Sequence, residues 1–400
     1  MNGDSNPIEG VTHGRLFLPS LFLSRFATQP HGLIAGLLLI DIGQTFGYPV
    51  GVTGQMSTAS FIIGVIFALV TGVLSVRYKH KSLLIMGLVF FTISALGCFS
   101  APSFAFMLLS YSFSGLGMAL VPPMCNTLVG EHLPLEKRSS AIGWILAGGA
   151  SSYLIGAPLI GVLAGYGGWR LAFIGYMLPI CIASLAIAVI GVPSATSVVQ
   201  PVVSRPDYLE GFKKIFSNRS SFTCLLGTIL AMAAWEANLI YGASFFRERF
   251  IMPTSWVSVL LSVMALCFLI GSLASGYLIN RFGRKNFTVL STVILGMLSF
   301  TYLNLHLFWL SMIIVLLVCV FAGVRYAASD SLTLEQVPEF RGTMMSVSSA
   351  AANLGSSLGG AIGGLSLLSY GYNGLGVSLG VLGISSAVIY HLFVLDLTGR

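Results

Sequence analysis

Long apolar runs dominate this chain, and short polar interruptions divide them into segments of about 20 residues, the length of a helix that crosses a bilayer. This pattern predicts helices over 32–50, 57–77, 82–101, 103–128, 139–164 and 169–192, then over 221–243, 255–279, 286–304, 306–332, 342–369 and 371–395. The longest polar interruption, 193–220, carries Pro193, Pro201, Pro206 and the basic amphipathic segment YLEGFKKIFSNRS. The expected organisation is therefore a cytosolic lead-in over 1–31, an N-terminal six-helix bundle over 32–192, a cytoplasmic linker over 193–220, a C-terminal six-helix bundle over 221–395 and a cytosolic tail over 396–400. The run GRLFLPSLFLSRFAT at 14–28 is interrupted by Pro19 and Arg25 and lacks a small-residue cleavage site. It reads as an interfacial or loosely ordered lead-in.

Composition agrees. The 400 residues are 56% hydrophobic and 8% charged, with mean hydropathy +0.90. A soluble domain carries roughly 25% charged residues, so lipid must solvate most of this chain. The net charge of +7 has no accompanying basic stripe or aromatic groove, which argues against nucleic acid as a partner. Of twenty Lys and Arg, sixteen fall in loops on the side of both termini. Arg170, Arg247 and Arg249 fall on the other side, and Arg325 lies within a span. This asymmetry puts both termini in the cytoplasm and requires an even number of spans. Six cysteines inside apolar runs read as small packing residues, and no metal or cofactor site is expected.

The halves repeat. A shift of 204 carries Gly72, Leu74, Arg77 and Lys81 onto Gly276, Leu278, Arg281 and Lys285, and Leu128, Glu131 and Pro134 onto Leu332, Glu335 and Pro338. With a one-residue slip, Arg138, Gly156 and Gly161 map onto Arg341, Gly359 and Gly364. Parallel duplicated halves with a site between them are a transporter architecture. The segment GYLINRFGRK at 276–285 resembles the major facilitator signature G-x-L-x-D-R-x-G-R-K, and GVLSVRYKHK at 72–81 is its degraded first-half copy. EHLPLEKR at 131–138 and EQVPEFR at 335–341 resemble the family's acidic–proline–arginine loops, and GAPLIGVLAGYGGWR at 156–170 is similar to the glycine–proline motif of its exporters. The resemblance implies an all-α membrane protein of twelve transmembrane helices in two pseudo-symmetric six-helix bundles, with helices 1, 4, 7 and 10 around a central cavity. Val76 and Asn280 replace the signature's acid, and Tyr111 stands where drug/proton antiporters often carry an arginine in helix 4.

A charged side chain at the bilayer centre costs about 2.5–3.5 kcal/mol on insertion scales and usually serves a function. Asp41 in helix 1, Glu236 in helix 7, and Arg325 and Asp330 in helix 10 are the candidates. Asp41 shares a helix face with Gln44 and Tyr48, while Glu236 has Trp235 beside it and Asn238 and Tyr241 near it. Asp41 and Glu236 are expected to respond to protons or cations, with Arg325 as counter-charge or anchor for a substrate carboxylate. The alternatives are that Asp41 and Arg325 only neutralise each other, that Glu236 is hydrated near the extracellular mouth, and that Trp235 and Tyr326 are packing residues. Asp330 reads as a gate residue. The resemblance implies that Arg77, Glu131, Arg138, Arg281, Glu335 and Arg341 belong to cytoplasmic gate networks.

The reading is a monomeric secondary transporter in the cytoplasmic membrane, moving a small organic solute by alternating access, proton-coupled and outward. A carrier importing organic anions, or a proton-independent facilitator, using Arg325 is the alternative. No HExxH, GxSxG or Walker loop supports an enzyme.

Overall fold

The computed structural model describes residues 16–193 and 205–396. Most of the expected lead-in (1–15, with Arg15), the central part of the linker (194–204) and the last residues of the tail (397–400, with Arg400) lie outside them. The elements run α1 (Phe17–Phe26), α2 (Pro30–Phe46), α3 (Val50–Thr53), α4 (Gln55–Arg77), α5 (His80–Ser100), α6 (Phe104–His132), α7 (Leu135–Ala172), a π-turn (Phe173–Met177) and α8 (Leu178–Gly191). After the linker come α9 (Arg205–Ser217), α10 (Arg219–Arg249), α11 (Thr254–Phe282), α12 (Arg284–Asn304), α13 (Phe308–Leu334), a 3₁₀ turn (Pro338–Phe340) and α14 (Arg341–Phe393).

Nine stretches among the described residues are long and apolar enough to span a membrane. Two of the nine, 140–191 and 343–393, are hairpins of two spans each. The first span escapes that count because Ala27–Gln29 interrupts it, which brings the total to twelve. The hairpins turn on glycine. Gly168 (φ 68°) and Gly371 (φ 64°) adopt backbone angles that an L side chain resists, so each reverses the chain with almost no loop. Beyond Gly371 the direction is visible in the partners. Gly355 and Gly359 approach Ile229 and Ala233 in rising order. After the turn, Ser386 donates to the Gly227 carbonyl at 2.7 Å, and the Leu395 amide donates to Ser220 Oγ at 2.8 Å. Gly168 and Gly371 are 203 apart, the same slipped repeat that relates Gly161 to Gly364.

One expectation is overturned. Residues 17–31 are no loose lead-in: α1 packs against α6, α7 and α8 with Phe17, Leu21 and Ser24 fully buried, and only Ala27–Gln29 separates it from α2. Pro19 is harmless because it sits in the first turn, where backbone N–H groups have no intrahelical partner. Arg25, expected in a loop, therefore lies on a packed helix.

The linker helix α9 docks on the second half. Ile215 is buried beside Leu225, Val337 and Met344, and Lys214 forms an ion pair with Glu339. The face that carries this linker is called the linker face below, and the opposite one the distal face.

Candidate functional site

The halves meet along two related seams. In one, Gly161 of α7 lies against Ser258 of α11, and Ser262 donates to the Leu154 carbonyl at 3.0 Å. In the other, Gly364 of α14 lies against Gly51 and Gln55, and Gln55 Nε2 donates to the Gly360 carbonyl at 3.3 Å. A Cβ at Gly364 would run into the Gly51 carbonyl and Gln55 Nε2, so only glycine permits this approach. These contacts all lie toward the distal face. On the linker face, the ion pairs His80–Glu131 and Arg284–Glu335 each stay within one half. Among the described residues, then, these seam contacts join the halves distally, and the linker-face ion pairs do not cross between them.

Asp41 belongs to the distal closure. It does not meet Arg325. Arg247 at the end of α10 donates from Nη2 to Asp41 Oδ1 at 3.0 Å, from Nη1 to Asp41 Oδ2, and from Nη1 to the Leu37 carbonyl at 3.0 Å. The last contact accounts for a bend: α2 loses helical geometry at Leu38 (φ −108°, ψ 20°), which frees a carbonyl for the guanidinium. Gln44 and Tyr48, expected to share the cavity, are exposed near the same end, with the Tyr48 ring 4.7 Å from that of Phe104.

Glu236 does face the space between halves. It lines a pocket of about 40 Å³ with His31, Ser57, Ser60, Tyr111 and Tyr153 of the first half. Ser356 of α14 donates to Glu236 Oε2 at 3.3 Å. Such a volume holds a water or two, so the pocket suits a proton relay better than an organic solute. His31 is buried there. The neighbours expected to join Glu236 turn inward instead. Trp235 stacks on Phe268 at 5.5 Å, and Asn238 is sealed in the second half, donating to Ser299 at 3.1 Å and accepting from Tyr302 at 2.7 Å. Both are buried.

A second cavity opens in the second half. Arg325, Tyr326 and Asp330 of α13 line it with Thr228, Met232 and Ser348. Arg325 is 1% exposed, and its Nη2 contacts Met232 Sδ at 3.3 Å. The Tyr326 ring lies 5.7 Å from the Arg325 guanidinium carbon and 6.3 Å from the Phe268 ring. Asp330, expected at a gate, shares this cavity with Arg325.

The gate residues separate in the same way. Glu131 pairs with His80, while Arg138 donates to the Leu133 carbonyl at 2.9 Å and to that of Gly130 at 2.6 Å, capping the end of α6 in its own half. Glu335 pairs with Arg284 at 3.1 Å. Arg77 and Arg281 are exposed near the ends of α4 and α11. Arg341 opens α14, and its side chain lies outside the described residues, as do those of Val76 and Asn280.

Sequence reasoning missed His31, Arg25, Arg247, His80 and Arg284. Three had a signal: the shift of 204 carries His80 onto Arg284, and the apolar run around Arg25 continues toward the next apolar segment. Arg247 had none, because its role depends on the bend at Leu38.

The sequence profile described as Major Facilitator Superfamily matches residues 19–259 and 224–399. An uncharacterized MFS-type transporter, YceJ, of Bacillus subtilis (strain 168) is 24% identical over 330 residues, covering 82% of this chain and 83% of its own. The cis,cis-muconate transport protein of Acinetobacter baylyi (strain ATCC 33305 / BD413 / ADP1) is 25% identical over 361 residues, covering 86% of this chain and 84% of its own. The crystal structure of a D-xylose-proton symporter superposes with TM-score 0.79 at 16% identity, covering 97% of this chain and 100% of that one. Twelve spans in two repeated halves and a profile match along the chain lead to one conclusion: the chain belongs to the Major Facilitator Superfamily.

Proposed function

We propose that this secondary transporter of small solutes works by alternating access in the cytoplasmic membrane, with its linker face and both termini in the cytoplasm. The proposal includes coupling to protons through Glu236. The observation that carries it is the position of Glu236: a carboxylate in a small pocket lined by both halves. How a carboxyl group is protonated depends on the dryness and charge of its surroundings. When the halves rock, this pocket exchanges water and neighbours, so proton release becomes tied to the side that is open. Asp41, expected to share the task, serves as half of a distal clasp with Arg247. The outward direction expected from the 156–170 motif remains part of the proposal, as does action as a monomer.

The test is flux in proteoliposomes under an imposed pH gradient, read in both directions. The wild-type protein should concentrate or expel solute with the gradient. Glu236→Gln should lose that response by at least tenfold while still exchanging labelled solute across the bilayer. Full gradient-driven transport by the variant would remove Glu236 from the coupling.

A further inference from the structure

Two ionisable side chains from opposite halves line one small pocket. His31 of α2 and Glu236 of α10 both border the space of about 40 Å³ where these helices meet. The approach is tight: a Cβ on Gly36 would come within 2.9 Å of the Leu239 carbonyl oxygen. The His31 ring is fixed from its own half. It lies 5.5 Å from the Phe91 ring of α5 and 5.8 Å from the Tyr111 ring of α6, and the Tyr111 hydroxyl donates to the His31 carbonyl at 3.2 Å. Glu236 is held from the other half, by Ser356 at Oε2. Around them, α4 contributes Ser57 and Ser60, α6 and α7 contribute the phenols Tyr111 and Tyr153, and α11 contributes Leu261. No Lys, Arg or second carboxylate is among the described residues that line the pocket. Among them, His31 is the group able to carry a positive charge opposite Glu236.

Burying an ion that lacks its partner is costly, and more so within a membrane. A neutral acid facing a neutral imidazole leaves the pocket without net charge, and so does a carboxylate facing an imidazolium. A proton can therefore pass between the two without charging the interior. We propose that His31 is the second station of the proton path, receiving the proton of Glu236 across the seam through a water in the pocket. The Glu236 acid gives its proton to the water, and the water gives one of its own to a ring nitrogen of His31. The products are a carboxylate, a water and an imidazolium. The surrounding hydroxyls supply the further partners that such a water needs. Because the two groups ride on different halves, the bridge exists only while the pocket is closed around it. Rocking parts them, which ties the proton's passage to the change of access. This inference rests on the reading of Glu236 as the coupling group.

The test follows the ring nitrogens of isotope-labelled histidine in the purified full chain by NMR as pH is varied, with His31 assigned as the signal missing from His31→Gln. Two groups that share a proton titrate as a pair, so Glu236→Gln should change the proton affinity of His31 tenfold or more. A His31 signal that titrates identically in the wild type and in Glu236→Gln, or that titrates in neither, would overturn the proposal. Should His31→Gln fail to fold, replacing His13, His80, His132, His306 and His391 one at a time assigns His31 by elimination. In proteoliposomes, His31→Gln should still exchange labelled solute but lose at least tenfold of its response to the pH gradient. A His31 that only packs against Phe91 and Tyr111 would lower the melting temperature and leave that response whole, which also overturns the proposal. The two readings fail separately: loss of the response in Glu236→Gln with a full response in His31→Gln removes His31 alone, whereas a full response in Glu236→Gln removes the coupling group itself.

Discussion

His80 and Arg284 occupy the same place in the two halves. They are 204 residues apart (284 minus 80), and each pairs with a glutamate displaced by the same amount, Glu131 and Glu335. Each pair joins the start of one helix to the end of another on the linker face, α5 to α6 and α12 to α13. The chemistry differs. Arginine is charged at every working pH, whereas an imidazole gains and loses its proton within the physiological range.

The guanidinium offers its glutamate a permanent charge and a fork of donors, so the second-half pair is the stronger form of this contact. Partly exposed pairs of this kind are worth about 0.2–1 kcal/mol. His80→Arg should therefore raise the melting temperature of the protein slightly. An unchanged or lower melting temperature would show that the two pairs are not interchangeable.

The clasp between Arg247 and Asp41 holds the distal side shut. Its side chains are 13% and 32% exposed, so its worth is up to about 1 kcal/mol, roughly fivefold in population. Asp41→Asn should open the distal seam by about that factor. Labelling of a cysteine placed at the buried Ser258 reads the change. An unaltered labelling rate would mean that glycine packing alone closes this side.

Gly359 and Gly364 separate stability from motion. Gly359 touches the Ala233 backbone within its own half, whereas Gly364 touches Gly51 and Gln55 across the seam. Gly359→Val should cost about 1–3 kcal/mol by overpacking, visible as a lower melting temperature. Gly364→Val should mainly spread the seam, raising distal accessibility and slowing flux. If both variants shift only the melting temperature, the seam does not move as described.

Asn238 distinguishes packing from substrate contact. Replacing it with Ala strands the Tyr302 hydroxyl and Ser299, at a cost of about 1–3 kcal/mol. Solute selectivity should not change. A shift in selectivity with unchanged stability would return Asn238 to the cavity.

The spans were legible because lipid imposes a length and a hydrophobicity on every one of them. The repeat was legible because glycines and loop charges keep their spacing. The start of the first half was cut short in the reading because Pro19 and Arg25 look like interruptions, yet a first-turn proline leaves a helix intact and a single arginine does not end one. Four of the candidate site residues line cavities. Glu236, Arg325 and Asp330 stood out as charges in apolar runs, but no periodicity tells which end of a helix bends or what lies opposite. Asp41 was assigned to the centre because its partner, Arg247, looked like a loop residue.

The tight turns at Gly168 and Gly371 have a consequence for the surrounding lipid. Each seam-forming helix is joined to the next span with no slack. A seam helix cannot tilt without dragging its neighbour, so the perimeter of the protein changes shape along with the seam. Hydrocarbon thickness then enters the rate: this carrier should run at different speeds in thin and thick bilayers even when its solute and ion gradients are held constant.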